Sequence, residues 1–131
     1  MVEPMLTKIL PFILVCGSAL NFNCIKESLI PKTLTKLQIN FVYATEADML
    51  NMALFGKTAK QWRDENPKAE GNIRDEASLE QLVVLSNLES INSVLIKQAL
   101  PPSERLQRLN EIAIAQMHSL LANPTIKKLT Q

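Results

Sequence analysis

The stretch SLEQLVVLSNLESINSVLIKQAL, Ser78 to Leu100, constrains the fold more than any other. Leu79, Leu82, Val83 and Ser86 follow the spacing i, i+3, i+4, i+7, and Leu85, Leu88, Asn92, Leu95 and Ile96 trace a second stripe. Two overlapping apolar stripes predict a helix buried on most of its circumference. Ser78 with Gln81 fits a capping box, in which hydroxyl and amide each satisfy a free backbone N–H. Pro101-Pro102 ends the element, because proline lacks an N–H and restricts the residue before it. A helix of ~22 residues is ~33 Å long, so it spans a small domain and other helices must pack on it.

Asn87, Glu89, Ser90, Asn92 and Ser93 are the polar residues within it. A buried carboxylate needs a partner. Glu89 is therefore expected either to sit at a seam and pair with an arginine from the preceding loop, or to be a ligand-binding acid.

At 131 residues one domain is expected, and 47% hydrophobic residues supply a core. Three glycines and few alternating β-branched runs argue against a β fold. The balance of 14 basic to 13 acidic residues announces no nucleic-acid or acidic surface. Cys16, Cys24 and the single His118 do not make the four-ligand spacing of a zinc site. A nucleophile–histidine pair would lack an orienting third group, so a reduced thiol pair is expected. The acid pairs Glu46/Asp48 and Glu70/Asp75 are explained by helix faces and caps. No enzyme activity and no cofactor is expected.

Ile9 to Ile25 carries no charge. It can be a short signal peptide, a core element, or the tail of a larger protein; as a membrane span it is short and interrupted by Gly17, Asn21 and Asn23. A helical turn over Ile25, Leu29 and Ile30 stops at Pro31. Thr33 or Thr35 can cap a helix through Leu37, Ile39, Phe41 and Val42, which can continue through Glu46, Met49, Leu50, Ala53 and Leu54 to a left-handed Gly56 cap. Thr58 and Gln61 open a short helix with Ala59, Trp62 and Arg63 facing inward, closed by Pro67. Trp62 reads as a core anchor or as a stacking platform for a base. Gly71-Asn72 marks a turn, Ile73 plugs into the core, and Asp75, Glu76 and Glu80 suit the positive end of the long helix. A last helix starts near Pro102-Ser103-Glu104, with Leu106, Leu109, Ile112, Ala113, Met117 and Leu120 inward and Arg105, Arg108, Glu111 and Gln116 outward. It forms an antiparallel hairpin with the long helix, has His118 off the stripe, and ends at Asn123-Pro124.

The blocks LFGKTAKQWR (Leu54 to Arg63) and GNIRDEASLEQL (Gly71 to Leu82), with IPKTLTKLQINFVYATEADM before them and ERLQRLNEIAIAQM after, resemble the region C-terminal to the DNA-binding part of phage-type KilA-N domain proteins. The resemblance covers about residues 25 to 125. It implies a phage or mobile-element context, antirepressor-like or virulence-associated, a cytoplasmic home and no catalytic residues. It makes Trp62, Arg63, Asn72, Arg74 and Asp75 motif residues that hold the loop onto the long helix. The DNA-binding domain would precede this region in the family; only about 25 apolar residues do so here, so the chain is expected to be the accessory domain alone.

The expected fold is all-α: a bundle of four to five helices around a buried helix at about 78–100 and its C-terminal hairpin partner. Residues 1–24 are an apolar segment, 25–123 the domain and 124–131 a frayed tail. The expected role is non-enzymatic self-association or protein docking. The alternatives are auxiliary nucleic-acid binding through Lys57, Lys60, Arg63, Lys68 and Arg74, weakened by five interleaved acids between Lys57 and Glu76, or export or membrane tethering through residues 1–25.

Overall fold

The computed structural model describes residues 29–122, and the expectations for the apolar N-terminus and the tail lie outside them. The described residues form five α-helices and no strand, an all-α bundle as expected. α1 is Lys36–Asn40, α2 Glu46–Phe55, α3 Ala59–Glu65, α4 Leu79–Lys97 and α5 Pro102–Ala122.

Hydroxyl caps set the starts of α1 to α4. Thr35 with Gln38, Thr58 with Gln61 and Ser78 with Gln81 each form a complete capping box. Thr45 accepts from the Asp48 N–H at 3.1 Å. That cap divides what the sequence reads as one continuous helix from Thr35 to Leu54. Phe41 turns extended (ψ 142°), the chain crosses to Thr45, and α2 starts afresh with Glu46 and Asp48 at its positive end. α2 stops where Gly56 turns left-handed (φ 74°) and gives its N–H to the Met52 carbonyl.

α3 buries Trp62, and Arg63 is exposed rather than inward. The loop after it is a tight turn: the Asp75 carboxylate accepts from the Asn72 N–H and the Asn72 side chain accepts from the Arg74 N–H, both at 2.8 Å. Gly71 is required there twice over. Its φ is 87°, and a Cβ would stand 2.5 Å from the Asp75 carboxylate. Ile73 is buried at the turn's apex.

α4 ends before the prolines, in a Schellman motif: Leu100 N–H bonds the Leu95 carbonyl and Ala99 N–H the Ile96 carbonyl. Ala99 holds the left-handed position (φ 59°) that glycine usually takes. Pro102 opens α5, where a missing N–H costs nothing. The short connection and an Asn87–Gln116 side-chain bond (3.0 Å) set α4 and α5 antiparallel.

The core forms where α2, α4 and α5 meet. Every residue of α2 from Met49 to Leu54 is buried, so α2 is enclosed on all sides. α4 is buried on one stripe only, Val84, Leu85, Leu88, Asn92 and Leu95. The stripe beginning Leu79, Leu82, Val83 faces solvent, because α2 and α5 cover only the opposite side. α5 contributes Leu106, Leu109, Ala113 and Met117, each at most 1% exposed.

One polar residue of α5 reaches three places. Asn110 is 2% exposed. Its Nδ2 donates to the carbonyls of Ala53 (3.0 Å) and Lys32 (3.2 Å), and its Oδ1 accepts from the Leu34 N–H (3.1 Å). Asn110→Ala strands one buried donor and the Ala53 acceptor, and is expected to lower stability by ~3–5 kcal/mol. Ala99→Gly relieves the left-handed strain and is expected to raise it by ~0.5–1 kcal/mol. Urea unfolding followed by Trp62 fluorescence, the single tryptophan, reads both; opposite signs are required.

Candidate functional site

The site is built around the segment that leaves α1. Tyr43 folds back and its phenol donates to the carbonyl of Gln38, one of the carbonyls that the end of α1 leaves without a helical partner. The Phe41 and Tyr43 rings meet edge to face at 4.9 Å and 64°. With Tyr43 turned inward, the apolar side chains beside it face water: Leu37 is 86% exposed, Phe41 63% and Val42 89%. These three form a ridge, and the largest apolar patch on an ordinary monomer is only a few hundred Å².

A cleft lies on each side of the ridge. The first, about 400 Å³, is lined by Ile39, Phe41, Val42, Tyr43 and Met49, with Glu46 and Arg105 among its polar walls. The second, about 330 Å³, runs past Leu37, Phe41, Tyr43 and Met52 to Lys57 and Glu65. Each has the volume of a small ligand pocket, room for a few apolar side chains.

A polar cluster fixes one wall of the first cleft. Arg105, whose side chain is 7% exposed, gives both terminal nitrogens to Glu46 Oε1 at 3.3 and 2.9 Å. Asn92 Nδ2 donates to Glu46 Oε2 at 3.0 Å. Three helices therefore converge on one carboxylate, which is itself 50% exposed. Arg105 Nε and Asn92 Oδ1 are buried without partners. Such orphaned atoms cost ~1–3 kcal/mol each, so the cluster fixes where α2, α4 and α5 meet more than it stabilises them.

Arg105 was expected to face outward, and it is buried. The signal was in the register: Arg105 lies four residues before Leu109 and eight before Ala113, on the inward stripe. Asn92 and Asn110 likewise occupy core positions among leucines, where an amide needs partners. From the sequence Glu46 reads only as one of the acid pair Glu46/Asp48 on a helix continuing to Leu54.

The motif residues take positions around the loop. Arg74 reaches from it to Glu89 of α4 at 3.3 Å and to the buried Asn51 of α2 at 3.3 Å. Asn72 and Asp75 form the turn itself, and Trp62 lies in the core, where no base can stack on it. Of the five cations read as possible phosphate contacts, Lys57 is paired with Glu65 at 2.6 Å and Arg74 with Glu89; Lys60, Arg63 and Lys68 are exposed. Among the described residues no group of three or more His, Cys, Asp or Glu could hold a metal ion, and no helix is long and apolar enough to cross a membrane.

Burial raises the Tyr43 phenol above its ordinary value of 10.0. Tyr43 is the only tyrosine, so an ultraviolet absorbance titration reads it alone. Its midpoint is expected above 10.0 in the folded chain and back at the ordinary value in urea. An ordinary midpoint in both would mean the phenol is not tucked against α1.

Comparison with protein-family models, curated proteins and solved structures found no match for this chain, so the KilA-N resemblance rests on its sequence blocks alone.

Proposed function

We propose that the chain is a non-enzymatic docking module that binds a protein partner through the ridge of Leu37, Phe41 and Val42 and the clefts beside it. One observation carries this reading: three large apolar side chains stand 63–89% exposed next to clefts of matching character. Keeping such side chains in water forgoes ~1.5–3 kcal/mol each relative to burial. A partner that covers them recovers this, which is how a few central apolar anchors come to dominate an interface.

The same reading accommodates the KilA-N resemblance. The chain would act as the accessory domain of a phage-type DNA-binding protein, with DNA contacted by a separate domain. Direct phosphate binding by this domain has less in its favour. Lys57 and Arg74 already share their charge with carboxylates, and Asp64, Glu65 and Glu70 intersperse Lys60, Arg63 and Lys68.

The test places a photo-crosslinking benzophenone amino acid at position 37 or 42 of the full chain, and at 60 or 68 as controls, in the native host. Discrete protein adducts at 37 and 42, absent at 60 and 68, are expected. Adducts no stronger than at the control positions, or nucleic-acid adducts at 60 and 68 alone, would overturn the docking reading.

A further inference from the structure

Among the described helices, α5 alone starts without a side-chain cap. Pro101, just before it, has no side-chain acceptor, and Pro102 at its first position has no N–H. The Arg105 N–H reaches the Pro101 carbonyl at 3.0 Å. That leaves the N–H groups of Ser103 and Glu104 without an acceptor among the described residues. They form the positive end of a helix of 21 residues. Glu104 is the acid placed to answer them, and it is turned to Arg108 at 3.1 Å instead.

This helix end opens on the first cleft. Pro102, Ser103 and Arg105 line it together with Phe41, Val42 and Met49. Helix side chains lean toward the N-terminus, so Arg105 leans over the turn that carries the free N–H groups. Its side chain is 7% exposed, and its Nε is buried without an acceptor. Glu46 takes only the two terminal nitrogens, and Arg105 and Asn92 give that carboxylate three hydrogen bonds. The ion pair thus cancels its own charge and leaves the cleft no free anion. The α5 end of the cleft presents three unpaired donors, Ser103 N–H, Glu104 N–H and Arg105 Nε, beside apolar walls. Its complement is an apolar group that ends in a carboxylate.

We propose that the first cleft captures the C-terminus of a partner protein. The last apolar side chain lies against Phe41, Val42 and Met49, and the terminal carboxylate accepts from the Ser103 and Glu104 N–H groups beside Arg105. The proposal rests on the docking reading and names the part of the partner that docks. Backbone donors at a helix N-terminus are fixed in place and backed by the helix dipole, so they take an anion without reordering a side chain. A cleft of about 400 Å³ holds about one or two large side chains, and the residues before them then run onto the ridge.

Nuclear magnetic resonance of the ¹⁵N-labelled full chain tests it, with an acetylated tetrapeptide ending in leucine and phenylalanine as the probe, used both as the free acid and as the C-terminal amide. The acid is expected to shift the Ser103 and Glu104 amide signals saturably, and the amide to bind about tenfold more weakly because it brings no charge. Val42 is 89% exposed, so changing it leaves the fold intact. Val42→Lys should tighten the acid and Val42→Glu weaken it, each about threefold, with little effect of either on the amide. Acid and amide binding equally, with shifts at Phe41 and Val42 but none at Ser103 and Glu104, would overturn the carboxylate site and leave the docking reading standing. 4-Phenylbutyrate binding as tightly as the peptide acid would assign the site to free acids and overturn capture of a protein C-terminus. Neither peptide form shifting the cleft signals at several millimolar also overturns it, and the crosslinks at positions 37 and 42 then decide the docking reading by themselves.

Discussion

The amide of Asn110 holds the rest of the structure in register. Both of its N–H groups and its oxygen are used, and the three partners belong to α2 and to the extended segment before α1, which no helix packing holds against α5. The Ala53 carbonyl shows why. In an uninterrupted helix it would accept from residue 57, but Gly56 turns the chain away. Asn110 supplies the missing donor inside the core, where an unpaired carbonyl is most costly. The same side chain pins the extended residues 32–34, and those residues carry α1. Leucine would fill the volume and aspartate would keep the oxygen, but neither donates twice.

A few residues away, Arg105 makes a different bargain. Its pairing with Glu46 links α5 to α2, and Asn92 brings in α4, yet two buried polar atoms are left over. Burying a charge pair incompletely satisfied adds little stability over an apolar replacement. What it adds is direction. Glu46, the first residue of α2, is met by Asn92 of α4 and Arg105 of α5 together, so the cluster fixes where α2 begins relative to the other two helices. The apolar core, with Leu88, Leu106, Leu109 and Met117 almost wholly buried, supplies the energy. The polar ties choose among the arrangements that such a core would tolerate.

That division of labour explains what was legible. The capping boxes at Thr58 and Ser78, the Gly56 cap, the buried Ile73 and the α4–α5 hairpin follow from local chemistry that neighbours do not alter. The break between α1 and α2 was hidden because the apolar spacing keeps helical phase across it, from Val42 to Glu46 to Met49 and Leu50. It is made by the Thr45 cap and by the Tyr43 phenol on the Gln38 carbonyl. α4 offered two apolar stripes of similar strength, and nothing within α4 says which one α2 and α5 will cover. The inward turn of Arg105 depends on a carboxylate 59 residues away in sequence. Of the candidate site, Phe41 and Val42 were legible only as helix-core residues, the opposite of their role in the ridge.

α1 then stands apart from the other helices in how it is held. None of its five residues is buried. Its place depends on the Thr35–Gln38 box, the Tyr43 phenol and the Asn110 bonds to the residues just before it. Each of these fixes geometry, and none takes the apolar side chains of the ridge out of water. Elements with little apolar burial open at low free energy, and binding elements are drawn from that end of the stability range. A partner covering Leu37, Phe41 and Val42 would give α1 the burial that the chain itself does not provide. On the docking reading, binding and local stability are coupled at this ridge: a partner there would complete the packing of the first helix, whose position the polar ties already set.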